Sequence, residues 1–177
     1  MIDISGKSFS PSNTQQYTLS IRFLPDGFCF AILDEEGRVG HFTQENHSDT
    51  ALTSIDLLHR PFKETFLCCD SNRYTLLPKN IFQEKDIPSY WNLNFGSVSS
   101  EEELLHNEIR LLDIINVFSV DKKQLAEVRD LFPAIRLIHK QSAQINRSVR
   151  KNKQEGGKQI YIYMSNDCFD VVLVNHG

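Results

Sequence analysis

Residues 17–37 read YTLSIRFLPDGFCFAILDEEG, and the fold class is decided in this stretch. Tyr17, Leu19, Ile21 and Phe23 alternate with Thr18, Ser20 and Arg22, the period of two that marks a strand with one buried face. Pro25-Asp26-Gly27 is a turn signal, and Phe28 to Leu33 is a second, more apolar strand. Asp34-Glu35-Glu36-Gly37 turns the chain into a third short strand, Arg38 to Thr43. The stretch is the start of a β-meander.

A shift of 140 places sets Phe23 to Leu33 over Tyr163 to Leu173, and Gly37 over Gly177. Strand, polar turn, apolar strand and glycine recur in the same order, which reads as an internal duplication. The second copy ends one strand short of the meander. A lone hairpin is marginal in water, so residues 158–174 are expected to pack on the first lobe or on a partner chain. The expected origin is truncation of a longer, two-lobed protein.

Between the copies the periods alternate. Leu52, Ile55 and Leu58, behind the capping residues Ser48 and Asp49, predict a helix stopped by Pro61. Phe66 to Cys69 reads as a buried strand, Thr75 to Pro78 as extended chain, and 79–95 as short helical turns around Tyr90, Trp91 and Phe95. Those aromatics read either as a recognition patch or as a small satellite core. Glu101-Glu102-Glu103 reads as a solvated helix start, and Asn107 to Val120 as a β-hairpin or two consecutive short strands. Asp121 with Gln124 forms a capping box for a helix whose stripe is Leu125, Val128, Leu131 and Phe132, ended by Pro133. A strand from Ala134 to His139 and a short helix from Gln141 to Arg150 follow.

The expected organisation is a polar tail at 1–16, a first lobe at 17–150 with an insert near 78–120, a linker at 151–158 and a hairpin at 159–177. Strands alternating with helices after a meander predict an α/β layered fold with a mixed sheet.

With 177 residues, 40% of them hydrophobic and 12 of them Phe, the chain can bury a sizeable core, which excludes disordered and low-complexity classes. No stretch reaches the about 20 apolar residues of a membrane-spanning helix, and residues 1–13 lack the apolar run of a signal peptide. The four cysteines contain no C-x-x-C, and the adjacent Cys68 and Cys69 point to opposite faces of a strand. They read as buried, inert thiols, and the cytoplasm is the expected location.

The ordered landmarks Tyr17–Gly37, Tyr74-Thr75-Leu76-Leu77-Pro78 with Ile81-Phe82, Asn116-Val117-Phe118-Ser119-Val120, Leu131-Phe132-Pro133 and His139-Lys140-Gln141-Ser142 resemble a bacterial family of unknown function with an actin-like, ribonuclease-H-like ATPase fold. The resemblance implies a βββαβαβα lobe followed by the first hairpin of a second similar lobe. It covers nearly all of the chain from Tyr17. It implies no established activity, and the family continues into a fuller second lobe.

In active proteins of that fold, phosphates sit at the turns of the two opening hairpins, which need glycine for close approach and a carboxylate for metal positioning. The corresponding residues are Asp26 and Gly27 in the first turn and Asn166 and Asp167 in the second. Neither turn matches: Pro25 lacks an N–H, and residues 165–168 contain no glycine. These four are weak cofactor candidates, and no cofactor, metal site or catalytic residue is expected. No P-loop or dinucleotide fingerprint occurs, and the six His residues show no ligand spacing.

The net charge of −4 excludes a globally basic nucleic-acid binder. Charge is nonetheless segregated: residues 134–158 hold seven Lys/Arg and one acid, leaving 12 basic against 22 acidic residues elsewhere. Arg147, Arg150, Lys151 and Lys153 are the candidate partner-binding residues, although a solvated helix end explains the same charges.

The functional expectation is a non-catalytic protein-interaction module, with a homo-oligomer formed through the C-terminal hairpin. The alternatives are an ATPase or phosphotransferase of the same fold, and nucleic-acid binding through 136–158.

Overall fold

The computed structural model describes residues 2–7, 9–24, 26–46, 51–164 and 169–175. In chain order it contains β1 (Ile2–Ser5), β2 (Thr18–Leu24), β3 (Gly27–Leu33), β4 (Val39–Glu45), β5 (Glu64–Cys69), β6 (Tyr74–Pro78), α1 (Ile87–Phe95), β7 (Glu102–Ile109), β8 (Ile114–Asp121), α2 (Lys122–Leu131), β9 (Arg136–His139), α3 (Lys140–Glu155), β10 (Lys158–Met164) and β11 (Phe169–Asn175). Two compact units form, one from residues 1–70, 99–103 and 120–138, the other from 71–98, 104–119 and 139–177.

The first unit is built on a six-stranded sheet ordered β1-β4-β3-β2-β5-β9. The meander is antiparallel, Ile21 opposite Phe30 and Ala31 opposite Phe42, while β5 runs parallel to β2 with Leu67 beside Ile21. The sheet is therefore mixed, as the sequence predicts. Alternation decides its faces: Leu19, Ile21, Phe28, Phe30, Ile32 and Leu67 are buried, and Leu125 and Val128 of α2 are buried with them in the first unit's core. Asp121 caps α2 by accepting from the N–H groups of Lys123 and Gln124.

The second unit carries a three-stranded sheet ordered β6-β8-β7 and the two-stranded ribbon β10–β11. Residues 115–120 of β8 are buried without alternation, which marks a strand covered on both faces. Ile87 and Trp91 of α1 pack with Ile115 and Val117, and Leu77, Phe82, Phe95 and Leu104 close the cluster. The Tyr90, Trp91 and Phe95 group is thus a core element: Trp91 is wholly buried and the Arg73 guanidinium lies 4.9 Å from its ring.

Several local expectations are corrected. The stretch 1–16 holds a strand, because Ile2 to Ser5 pairs with Gln44 to His41 and the Ser5 hydroxyl hydrogen-bonds His41 Nδ1 at 2.7 Å. The helix expected over 52–58 is two 3₁₀ turns, Leu52–Ser54 and Asp56–His59, since a spacing of three with no i+4 partner matches three residues per turn; Ser48 and Asp49 lie outside the described residues. Glu102 and Glu103 open β7 instead of a helix, and Arg129 of α2 holds the Glu103 carboxylate at 3.1 Å. The stretch 151–158 is no linker throughout: α3 runs on to Glu155, with Gly156 at its end.

Candidate functional site

Asp26 is exposed in the first hairpin turn, with Gly27 beside it at the start of β3. A Cβ built on Gly27 would lie 2.0 Å from the Glu45 carbonyl oxygen of β4. Glycine there serves the close approach of two backbones. Asn166 and Asp167 of the second turn lie outside the described residues. Among the described residues no group of three His, Cys, Asp or Glu side chains could hold a metal ion.

Near the first hairpin turn, Arg22 pairs with Asp70, and the strand register sets Cys29 and Cys68 on either side of Arg22. Burial works against the guanidinium charge, but the hydrogen bond and charge of Asp70 outweigh it and keep Arg22 above its ordinary value. Burial raises the Cys29 thiol despite that neighbour, and pushes Cys69 up to about 12. Thiols raised in this way are poor nucleophiles and poor metal ligands.

The second unit contains a polar cluster that spacing in the sequence does not reveal. His139, Asn116 and Ser142 are all buried. The Gln141 N–H donates to His139 Nδ1 at 3.2 Å and the Asn116 amide lies 3.1 Å from the same atom. His139 Nε2 therefore carries the proton and donates to the Ser71 carbonyl at 2.9 Å. The Asn116 amide also donates to Ser142 Oγ at 2.9 Å. The imidazole caps α3 by accepting its Gln141 N–H, while the other ring nitrogen holds the Ser71 carbonyl.

The same helix fixes the ribbon. The Asp170 carboxylate of β11 accepts from Gln141 Nε2 at 2.6 Å and Gln144 Nε2 at 3.2 Å, and Lys140 Nζ stands 3.2 Å away. Tyr163 donates to the Gln144 carbonyl at 3.1 Å and meets Ser148 Oγ at 2.9 Å. Arg147, Arg150, Lys151 and Lys153 all lie exposed along α3. Lys151 leans toward Glu155, 3.6 Å away, and the Tyr161 ring at 5.7 Å, and the four form an exposed basic ridge.

The opposite face of the ribbon is open. Register pairs Ile160 with Leu173, Ile162 with Val171 and Met164 with Phe169, and these six side chains are 53–85% exposed. Val172 and Val174 point to the α3 side because their positions alternate with Val171 and Leu173.

A meander with a parallel fifth strand, an inserted sheet and a second hairpin define a mixed α/β protein of the actin-like ATPase type. A protein of that fold and of unknown function from Bacteroides thetaiotaomicron matches at a TM-score of 0.78 and 21% identity, over 94% of this chain and 68% of its own. The cytoplasmic domain of EpsL, an inner membrane component of the type II secretion system of Vibrio cholerae, is similar at a TM-score of 0.51 and 10% identity, over 90% of this chain and 71% of that one. The chain belongs to the family described as protein of unknown function (DUF3822), which matches residues 6–177. No curated protein matches it significantly. Among the described residues no helix is long and apolar enough to cross a membrane.

Proposed function

We propose that this protein is a non-catalytic module of the actin-like fold that works through protein contacts. The observation that carries the reading is the row of six exposed apolar side chains on β10–β11, from Ile160 to Leu173. Apolar patches of that extent mark interaction sites. Gly27 supports the non-catalytic half, because the space that a phosphate-cradling glycine would leave open is taken by the Glu45 backbone. The equal offset of β2 (Thr18–Leu24) and β10 (Lys158–Met164) supports assigning 17–150 to a first lobe and 159–177 to the opening hairpin of a second. The thiols of Cys29 and Cys69, neither held in a disulfide, fit a reducing, cytoplasmic setting.

Calorimetric titration with ATP and Mg²⁺ should give no saturable heat, and at high dilution an apolar surface dye should fluoresce with the wild type and not with Ile162→Lys. Saturable nucleotide binding that Asp26→Ala abolishes would overturn the reading in favour of an ATPase or phosphotransferase. Nucleic acid held through Arg147, Arg150, Lys151 and Lys153 and released by their change to Glu would overturn it in favour of the basic ridge.

A further inference from the structure

The outward face of α3 gathers cations that the fold does not compensate. Arg147, Arg150, Lys151 and Gln154 follow one another at the i, i+3, i+4 and i+7 positions of one helix face, with Lys153 three residues beyond Arg150. All five are exposed, while Ser148, Val149 and Asn152 on the other side of the helix are buried. Glu155 is the one acid of α3, and it stands 3.6 Å from Lys151. Arg147, Arg150 and Lys153 make no side-chain hydrogen bond or ion pair among the described residues. Exposed cations of the first unit are matched instead: Arg38 is held by Asp34 and Glu36, Lys63 by Glu35 and Arg136 by Glu64. Lys153 lies in the last turn of α3, where the carbonyl end of the helix favours positive charge. Arg147 and Arg150 lie before that turn, and like charges three or four residues apart repel and weaken a helix.

Resting on the interaction reading above, we infer that this ridge docks an acidic segment of a partner protein, whose carboxylates are held by Arg147 and Arg150. Unpaired cations cannot be packed under an apolar surface without a large desolvation cost, so whatever seats on this face must bring negative charge. Guanidinium groups grip carboxylates through two parallel hydrogen bonds, a geometry that suits the two arginines at the centre of the ridge. The ridge is short, about 9 Å from Arg147 to Lys153 at the rise of an α-helix. Residues outside 134–158 hold 12 basic against 22 acidic groups, so a nucleic-acid strand running past the ridge meets a repelling field. Nor does α3 carry an aromatic residue on which a base could stack. A short run of carboxylates fits the ridge and ends there.

A fluorescein-labelled polyglutamate peptide, titrated with the whole chain at low salt and followed by anisotropy, tests this. Saturable binding that weakens as salt is raised is expected. Arg147→Glu with Arg150→Glu should weaken it about tenfold or more. Arg147→Gln with Arg150→Gln, which adds no acid to the helix, should weaken it by a smaller factor. Lys85→Glu with Lys123→Glu makes the same change in net charge at two exposed sites on other elements, and should leave binding within about twofold. Circular dichroism checks the fold of each variant. No saturable binding at low salt overturns the proposal, as does an equal loss in the Lys85 and Lys123 variant. Single-stranded DNA that binds more tightly than the peptide, and is released by the ridge substitutions, overturns both this proposal and the interaction reading. If the peptide fails while the apolar dye of the preceding test still separates the wild type from Ile162→Lys, this proposal falls and the interaction reading stands.

Discussion

Gly27 carries more of the fold than its place in a turn suggests. With the Glu45 carbonyl 2.0 Å from where its Cβ would stand, and the remaining close atoms also backbone, no side-chain rotation can make room. Gly27→Ala should therefore cost on the order of 2–4 kcal/mol in urea unfolding, by forcing β4 away from β3. Gly156, at φ +73 with nothing within 4 Å, pays only for its left-handed backbone, and Gly156→Ala should cost about 1 kcal/mol. The sequence places Gly27 in a turn and Gly156 in a linker and cannot rank them, because the difference lies in a strand 18 residues from Gly27. His139 shows the same limit. Its six-His context suggests nothing, yet its neutral ring holds α3 to Asn116 and Ser71.

At the scale of elements, short-range signals are legible and borrowed ones are not. The alternation of 17–33, the Asp121 cap and the apolar stripe of α2 each lie within one element, and each appears where the sequence reading puts it. The 52–58 turns, the strand at Glu102 and Glu103, and β1 take their form from partners distant in sequence: Glu127 for the Leu52 N–H, Arg129 for Glu103, and β4 for β1. The ribbon is the element whose placement rests most on one side chain. Asp170→Ala removes the acceptor for Gln141, Gln144 and Lys140 together, with both charged groups largely buried. The substitution should cost about 2 kcal/mol, below the figure for a wholly buried pair because some solvent reaches both groups. Amide exchange should then rise along β10 and β11 while β2 and β3 stay protected.

On the scale of the whole molecule, two compact units form from interleaved stretches of the chain. The repeat that predicts the ribbon is visible in the chain: β10 begins 140 residues after β2, while β11 trails β3 by 142, because the second turn is two residues longer. Period and turn chemistry are local properties, so the sequence alone determined the hairpins, the mixed α/β class and the core positions of the meander. Which ribbon face meets α3 was decided only in three dimensions. Ile160, Ile162, Val172 and Val174 are equally apolar, and it is the Asp170 carboxylate, buried against Gln141, Gln144 and Lys140, that turns one pair inward and leaves the other in water.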